Sequence, residues 1–306
     1  MIEQYVNKLV NDVPLLNGEK PQKIDLILDG GIFNGSYLFG GLQFLKALEK
    51  RNHIQVDNIS CCSIGVICAL LYLADALDVA EELYNIIMIS FKENYKLDDA
   101  FEKTVQQLKL RLPSNICDII NRRLYISYHD VTKRKKIVKY VYKSLDDLFL
   151  AVRKSCFVPF FIDGNMLYKG KYYDGIYPYI FPPSSDKKRL HLNLLGLDKL
   201  KYVFCVKNET TNIHRMLAGL LDVHLFFIKQ TSTQMCSYIQ PYSFFDFGYY
   251  LMRYFIEKFI LVFFVFFRWF SEIVPPDIVS KDSIFFKLFV KIIQDVYVIL
   301  LENICF

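Results

Sequence analysis

The sequence predicts an α/β fold with an aromatic-rich helical region attached on its C-terminal side. Three observations carry this. Two consecutive segments, 23–50 and 54–76, each read as a short apolar strand, a small-residue turn and a helix. A later Asp-Gly pair, Asp174-Gly175, sits where a strand ends. Beyond about residue 210 the composition changes, and Phe244 to Phe270 is dense in aromatic side chains. The 306 residues suffice for one large α/β core plus an appendage. The expected organisation is a lead-in over 1–22, an α/β domain over 23–210 and a hydrophobic helical region over 211–306.

The elements follow in order. Residues 1–22 suggest a lead-in helix that ends near Pro14 to Pro21. Lys23 to Leu28 is a short apolar run, expected as a buried strand, and it ends in Asp29-Gly30-Gly31-Ile32-Phe33-Asn34-Gly35. Ser36 to Lys50 then places Leu38, Leu42, Leu45 and Leu48 at helical spacing. The second unit is a strand over Ile54 to Ser60, a turn at Cys61-Cys62-Ser63, and a helix over Ile64 to Ala76. Residues 78–128 are mostly helical in pattern, with a break at Pro113. Leu124 to Tyr128 and Ile137 to Tyr142 read as hairpin strands around the basic run Lys133-Arg134-Lys135-Lys136. That run suits a solvated loop first and a lipid-headgroup contact second. Ser144-Leu145-Asp146-Asp147 opens a helix over Leu148 to Cys156, stopped by Pro159. A hairpin is expected through Met166 to Tyr168 and Lys171 to Tyr173, and Tyr202 to Val206 reads as one further core strand.

Composition narrows the function classes. The net charge of +5 is too mild for a nucleic-acid-binding balance but suits an anionic membrane surface. The eight cysteines, Cys61, Cys62, Cys68, Cys117, Cys156, Cys205, Cys236 and Cys305, show no C-x-x-C spacing. They read as reduced thiols rather than a disulfide framework or a zinc site. With no signal-peptide core over Met1 to Lys20, an intracellular, cytoplasmic and membrane-associated protein is expected. Phe259 to Phe267 is an unbroken apolar run bracketed by Glu257, Lys258 and Arg268. It is shorter than the roughly 20 residues of a transmembrane span, so an interfacial or re-entrant helix fits better. Ser283 to Phe306 is a second amphipathic stretch; the first reading is that these helices pack on each other and on the α/β domain, the second that they meet a membrane surface.

Two turns carry the candidate chemistry. A glycine turn between strand and helix exposes backbone N–H groups beside a helix N-terminus, a geometry that holds an anion. For 30–35 the alternatives are a plain tight turn, or a site for a phosphate or the oxyanion of acyl transfer; no G-K-[ST] and no G-x-G-x-x-G spacing accompanies it. Ser63, at the corner between strand and helix, is either a helix-start cap or a nucleophile. Cys61 and Cys62 are rival nucleophiles, or small residues that let the turn close. Asp174 is a turn residue or a base at the carboxyl edge of a sheet. The order Ser63, Asp174, then His191, His214 or His224 also suits a hydrolase triad.

Three separated pieces resemble one family in order. Gly30-Gly31-Ile32-Phe33-Asn34-Gly35, with Gly40 beyond it, resembles the G-G-G-x-[KR]-G oxyanion loop of patatin-like phospholipases. Cys61-Cys62-Ser63-Ile64-Gly65 resembles their G-x-S-x-G elbow. Ser155-Cys156-Phe157-Val158-Pro159 followed by Tyr173-Asp174-Gly175-Ile176 is similar to their S-x-x-x-P and D-G-[GA] block. The resemblance spans roughly 24–185 and implies a central, mostly parallel sheet flanked by helices. It implies a lipid acyl hydrolase that cleaves carboxylic esters of phospholipids or acylglycerols, with neither metal nor cofactor. Ser63 would be the nucleophile, Asp174 the general base, and the N–H groups of Gly30, Gly31 and Ile32 the oxyanion hole. Gly35, Cys61, Gly65 and Gly175 stand at motif positions. Four residues depart from the pattern: Ile32 and Cys61 for glycines, Asn34 for the basic residue, and Ile176 for a small one. They also admit an alternative, a catalytically weak or inactive patatin-fold module that binds lipid or membrane.

Overall fold

The short apolar runs become β1 (Gln22–Leu28), β2 (Ile54–Cys61), β3 (Leu124–Asp130), β4 (Lys135–Lys139), β5 (Tyr172–Tyr173), β6 (Lys188–Leu192) and β7 (Cys236–Tyr238) in a computed structural model of the chain. The structure describes residues 2–14, 20–94, 96–196, 198–203, 205–206, 209–239 and 244–273. Of the remaining stretch it describes 284, 288, 291, 292, 295, 296 and 299. The sheet order is β4-β3-β2-β1-β6-β7, with β5 paired to β3 off this path. β3, β2, β1 and β6 run parallel to their neighbours, while β4, β5 and β7 pair antiparallel at the margins. The result is a mixed α/β sheet with a parallel centre, flanked by helices.

The two faces of the sheet differ because strand side chains alternate. One face carries Ile24, Leu26, Leu28, Ile59, Leu124 and Leu190, all fully buried in the main core. Burying such a side chain stabilises the fold by about 1.5–3 kcal/mol each, so this face fixes the sheet against its helices. They are α1 (Ile2–Leu9), α2 (Gly35–Lys50), α3 (Ile64–Leu73), α4 (Ala80–Asn94), α5 (Asp98–Arg111), α6 (Ile116–Ile120), α7 (Leu145–Ser155) and α8 (Ile213–Lys229). α2 and α8 lie so close that a Cβ on Gly40 would stand 1.8 Å from Met216 O, and one on Gly219 would stand 2.0 Å from Tyr37 O. α8 and β7 therefore join the same core as the residues before 210. The other face holds Ile27 among Ser60, Ser127, His129 and His191, a polar surface that is nonetheless buried. Across it lies α9 (Phe244–Ile273).

Several expectations need correction. Tyr202 to Val206 is not a strand: Leu200–Val203 is a 3-10 turn, and Phe204 lies outside the described residues. The buried Arg215 guanidinium takes the carbonyls of Tyr202 and Cys205, at 2.8 Å each, so neither serves a sheet ladder. The strand beside β1 is β6 instead, which the sequence disguises with Arg189 and His191. The hairpin over 166–173 reduces to a single bridge between Tyr168 and Tyr172, and β5 pairs with β3. The lead-in helix covers only Ile2–Leu9, followed by a 3-10 turn at Val10–Asp12. The helix after Ser144 forms as expected, and Ser144 Oγ accepts the Asp147 N–H as its N-cap.

α9 is one continuous helix through the aromatic segment. Among the described residues, no helix is long and apolar enough to cross a membrane. Glu257 does not bracket the apolar run from outside, as its place in the sequence suggests; it is buried against the sheet. Most of the 283–306 stretch, Cys305 included, lies outside the described residues, although Ile284, Leu288 and Ile292 are helical and exposed.

Candidate active site

The parallel register pairs Leu28 with Cys61, so β1 and β2 end side by side and their two turns meet. A Cβ placed on Gly30 would lie 2.8 Å from Ser63 Cβ. Only glycine lets the loop approach the serine this closely. Gly65 has the same role on the far side of the turn, since a Cβ there would meet Asp29 O at 2.8 Å. Ser63 itself adopts φ 51° and ψ −134°, a left-handed backbone that a non-glycine residue holds only at a cost of about 1–3 kcal/mol. Its hydroxyl makes no capping bond to α3, so the helix-cap role is not the one it fills. Its carbonyl instead accepts the Val66 N–H (2.9 Å) to begin the helix.

Cys61 does not crowd the turn. It is the last residue of β2, fully buried, with Sγ directed to Tyr125 O at 3.7 Å. Burial pushes the Cys61 and Cys62 thiols well up, and Asp174 and Asp29 add to the effect on Cys62. Neither is a thiolate at neutral pH, which removes them as rival nucleophiles.

Ser155 welds the pieces together. Its Oγ accepts the Ser63 N–H (3.0 Å) and donates to Ser127 O on β3 (2.7 Å). Cys156 Sγ lies 3.2 Å from Ser63 O. Sequence reasoning placed both residues in a motif without assigning either a task. Their tie to Ser63 spans more than ninety positions and leaves no local pattern.

Asp174 follows β5 and is held on four sides. Its N–H donates to Phe157 O (2.9 Å), and its carbonyl faces His129 Nδ1 (2.9 Å). Its Oδ1 accepts the Ile176 N–H (2.7 Å). A Cβ on Gly175 would sit 2.2 Å from Ser127 O, so this position admits glycine only. Burial pushes the Asp174 carboxyl up to about 6, against the Ser63 hydroxyl, the Ile176 N–H and His129, which pull it down. The Ser63 hydroxyl is thus near enough to lower the carboxyl, yet the buried Oδ2 has no partner in hydrogen-bond geometry. The Ser63 and Asp174 side chains are therefore neighbours without a formed hydrogen bond.

Two of the four departing residues share one property. Ile32 has φ 44° and Ile176 has φ 54°, both left-handed and both β-branched. The backbone keeps the path a glycine would take, and the surrounding contacts supply the energy that holds it. Asn34 is buried and donates from Nδ2 to Leu194 O (3.1 Å) and Lys199 O (3.0 Å). Its Oδ1 accepts from Arg215 Nη1 (3.0 Å). Arg215 reaches Asn34 from α8, and Glu209 pairs with its guanidinium at 2.7 Å. Among the described residues, no backbone hydrogen bond engages the N–H of Gly30 or Gly31.

Ser63 lies where two clefts meet. One, of about 330 Å³, is lined by Gly30, Gly31, Ile32 and Asp174 and roofed by Ile260 and Phe264 of α9. The other, of about 80 Å³, runs between α2, α3, α4 and α5 past Phe39, Ile67, Leu83 and Ala100 and is almost wholly apolar. The first falls within the roughly 300–1,000 Å³ of small-molecule sites, and the second is a narrow slot beside it. No histidine lines either cleft. His191 is bound to Asp29 (3.2 Å), His214 to Glu209 (3.4 Å), and His224 packs edge-on to Phe44. The triad alternative therefore has no geometry behind it.

The sequence missed the anchors of α9. Arg253 reaches Asp29, immediately before the Gly30 loop, at 2.6 Å, and stacks 3.9 Å from the Tyr177 ring. Burial would raise Asp29, but Arg253 and His191 outweigh it and hold the carboxyl down to about 2. One turn on, Glu257 meets Lys136 (2.7 Å) and His129 (3.3 Å). Burial again opposes ionisation, and His129 and Lys136 bring Glu257 down to about 2. His129 stacks on Tyr173 at 4.6 Å, so the second anchor ends on the backbone of Asp174. Sequence signals existed only as single charges, Arg253 and Glu257, four apart in an apolar helix.

No family model matches this chain, and no curated protein matches it.

Proposed function

We propose that this chain is a lipid acyl hydrolase of the patatin-like kind, working at a membrane surface with a Ser63–Asp174 dyad. The carrying observation is that Ser63, Asp174 and the Gly30–Gly31–Ile32 loop, remote in sequence, line a single cleft. The second cleft, apolar and open to the same serine, suits an acyl chain. In this reading Asp174 takes the Ser63 proton as Oγ attacks the ester carbonyl. The backbone N–H groups of Gly30, Gly31 and Ile32 hold the oxyanion. Asp174 then gives its proton to the leaving alkoxide, which departs as the alcohol. Water, deprotonated by Asp174, attacks the acyl-enzyme, and Ser63 recovers its proton as the fatty acid leaves. A carboxyl near 6 is mostly ionised at pH 7 yet a better base than an ordinary aspartate.

One observation favours a second reading, a lipid-binding module without turnover: Oδ2 of Asp174 has no formed hydrogen bond to Ser63. Hydrolysis of a fluorogenic phospholipid and of a short-chain ester separates the two. Turnover lost in both Ser63→Ala and Asp174→Asn supports the hydrolase. Its absence in the folded wild type, with lipid still bound, supports the module.

A further inference from the structure

α9 has two unlike sides. Its inner side is fixed by Arg253 and Glu257 and roofs the Ser63 cleft with Ile260 and Phe264. Its outer side presents Phe247, Phe255, Phe259, Val262 and Trp269, each more than half exposed. At 100° per residue these five lie within one third of the helix circumference, opposite Arg253 and Glu257. The only other charges between 247 and 269 are Lys258 and Arg268, both basic.

The flank of this aromatic face is basic as well. Leu261 and Phe264 of α9 cluster with Val131 and Tyr173, so the turn between β3 and β4 abuts the helix. Lys133, Arg134 and Lys135 at that turn are exposed, and Lys136 beside them bonds Glu257. A second turn joins the first through Val131 N–H to Lys171 O (2.9 Å) and adds an exposed Lys169. The acidic group among them, Asp130, is buried and satisfied by Thr132, the Lys133 N–H and Lys171.

We infer that the outer face of α9 and the basic β3–β4 turn form one docking surface for an anionic lipid bilayer. Aromatic side chains enter the interfacial layer while lysine and arginine remain with the headgroups. Sign decides the occupant: a surface whose exposed charges are basic around an aromatic stripe complements anionic lipid. The same helix roofs the cleft, so docking brings the Ser63 site against the layer that holds its substrate. The inference rests on reading that cleft as a lipid-ester site, but binding can be measured apart from turnover.

The experiment is co-sedimentation of full-length Ser63→Ala protein with vesicles of phosphatidylcholine alone, or of phosphatidylcholine mixed with phosphatidylserine. Preference for the mixed vesicles, weakening as salt rises, is expected. Lys133→Gln/Arg134→Gln/Lys135→Gln lowers affinity for mixed vesicles about 100-fold at low salt, as expected for the loss of three surface cations. Phe255→Ser/Phe259→Ser weakens binding to both compositions. Salt dependence in the unmutated surface is read without those variants, so a folding failure in either leaves the test intact. Equal binding to both vesicles with no salt effect overturns the proposal, as does no binding. So does a dimer in sedimentation velocity that the Phe255/Phe259 variant dissolves. Absence of turnover in wild-type protein that still binds the mixed vesicles counts against the hydrolase reading alone.

Discussion

Replacing Asp174 by Asn should stabilise this protein while abolishing turnover. The carboxyl is buried, and burial lifts it from 3.8 to about 6. Between those two values the unfolded chain has lost its proton while the folded chain still holds it. The unfolded state binds fewer protons there, so stability falls as pH rises. At about 1.36 kcal/mol per pH unit the loss is about 3 kcal/mol, complete above roughly pH 7. Asn carries no charge at any pH and keeps an Oδ1 to accept the Ile176 N–H. Urea unfolding of both proteins from pH 4 to pH 8 measures the effect. The variant should gain on the wild type steadily between about pH 4 and pH 6 and hold a gain of about 3 kcal/mol above pH 7. A variant that is less stable at pH 8, or a difference that ignores pH, would refute the claim that this carboxylate is held at a cost for function.

Other consequences follow from single contacts. kcat/KM for an ester should rise with pH through about 6 as Asp174 ionises, and a profile flat from pH 5 to 8 would point to another base. Ile32→Gly removes a β-branched side chain from φ 44°; it should stabilise by about 1 kcal/mol in thermal unfolding and leave turnover intact. Arg253→Ala leaves Asp29 buried with only His191 beside it, and a loss of about 3–5 kcal/mol is expected in the same assay. Gly219→Ala drives a methyl into Tyr37 O at the α2–α8 crossing and should cost about 1–3 kcal/mol or more, seen as a lowered urea midpoint.

Much of the fold is written locally. The runs around Leu26 and Ile59 bury one face and read as strands, and the turns after them read as turns because glycine and small residues concentrate there. β6 escaped because its Arg189 and His191 serve the polar face of the sheet, so hydrophobicity alone misses it. Tyr202 to Val206 misled for the converse reason: its side chains suit a strand, but Arg215 claims its carbonyls. At the site, Ser63, Asp174 and the glycine loop were legible because their turns need particular residue types. Ser155, His129 and the Arg253–Asp29 pair were not, because their meaning lies in contacts across the sheet. Whether the turn at Cys61 could close was open in the sequence; burying Cys61 within β2 and assigning the tight approach to Gly30 and Gly65 resolves it.

The central claim is that Ser63 is an activated nucleophile, and labelling by a fluorophosphonate tests it most directly. Intact-mass analysis of the folded wild type should give one adduct, mapped by peptide sequencing to Ser63. The adduct should form faster above pH 6 than below and be absent in Ser63→Ala. No adduct on folded protein, or one carried by another residue and retained in Ser63→Ala, would contradict it.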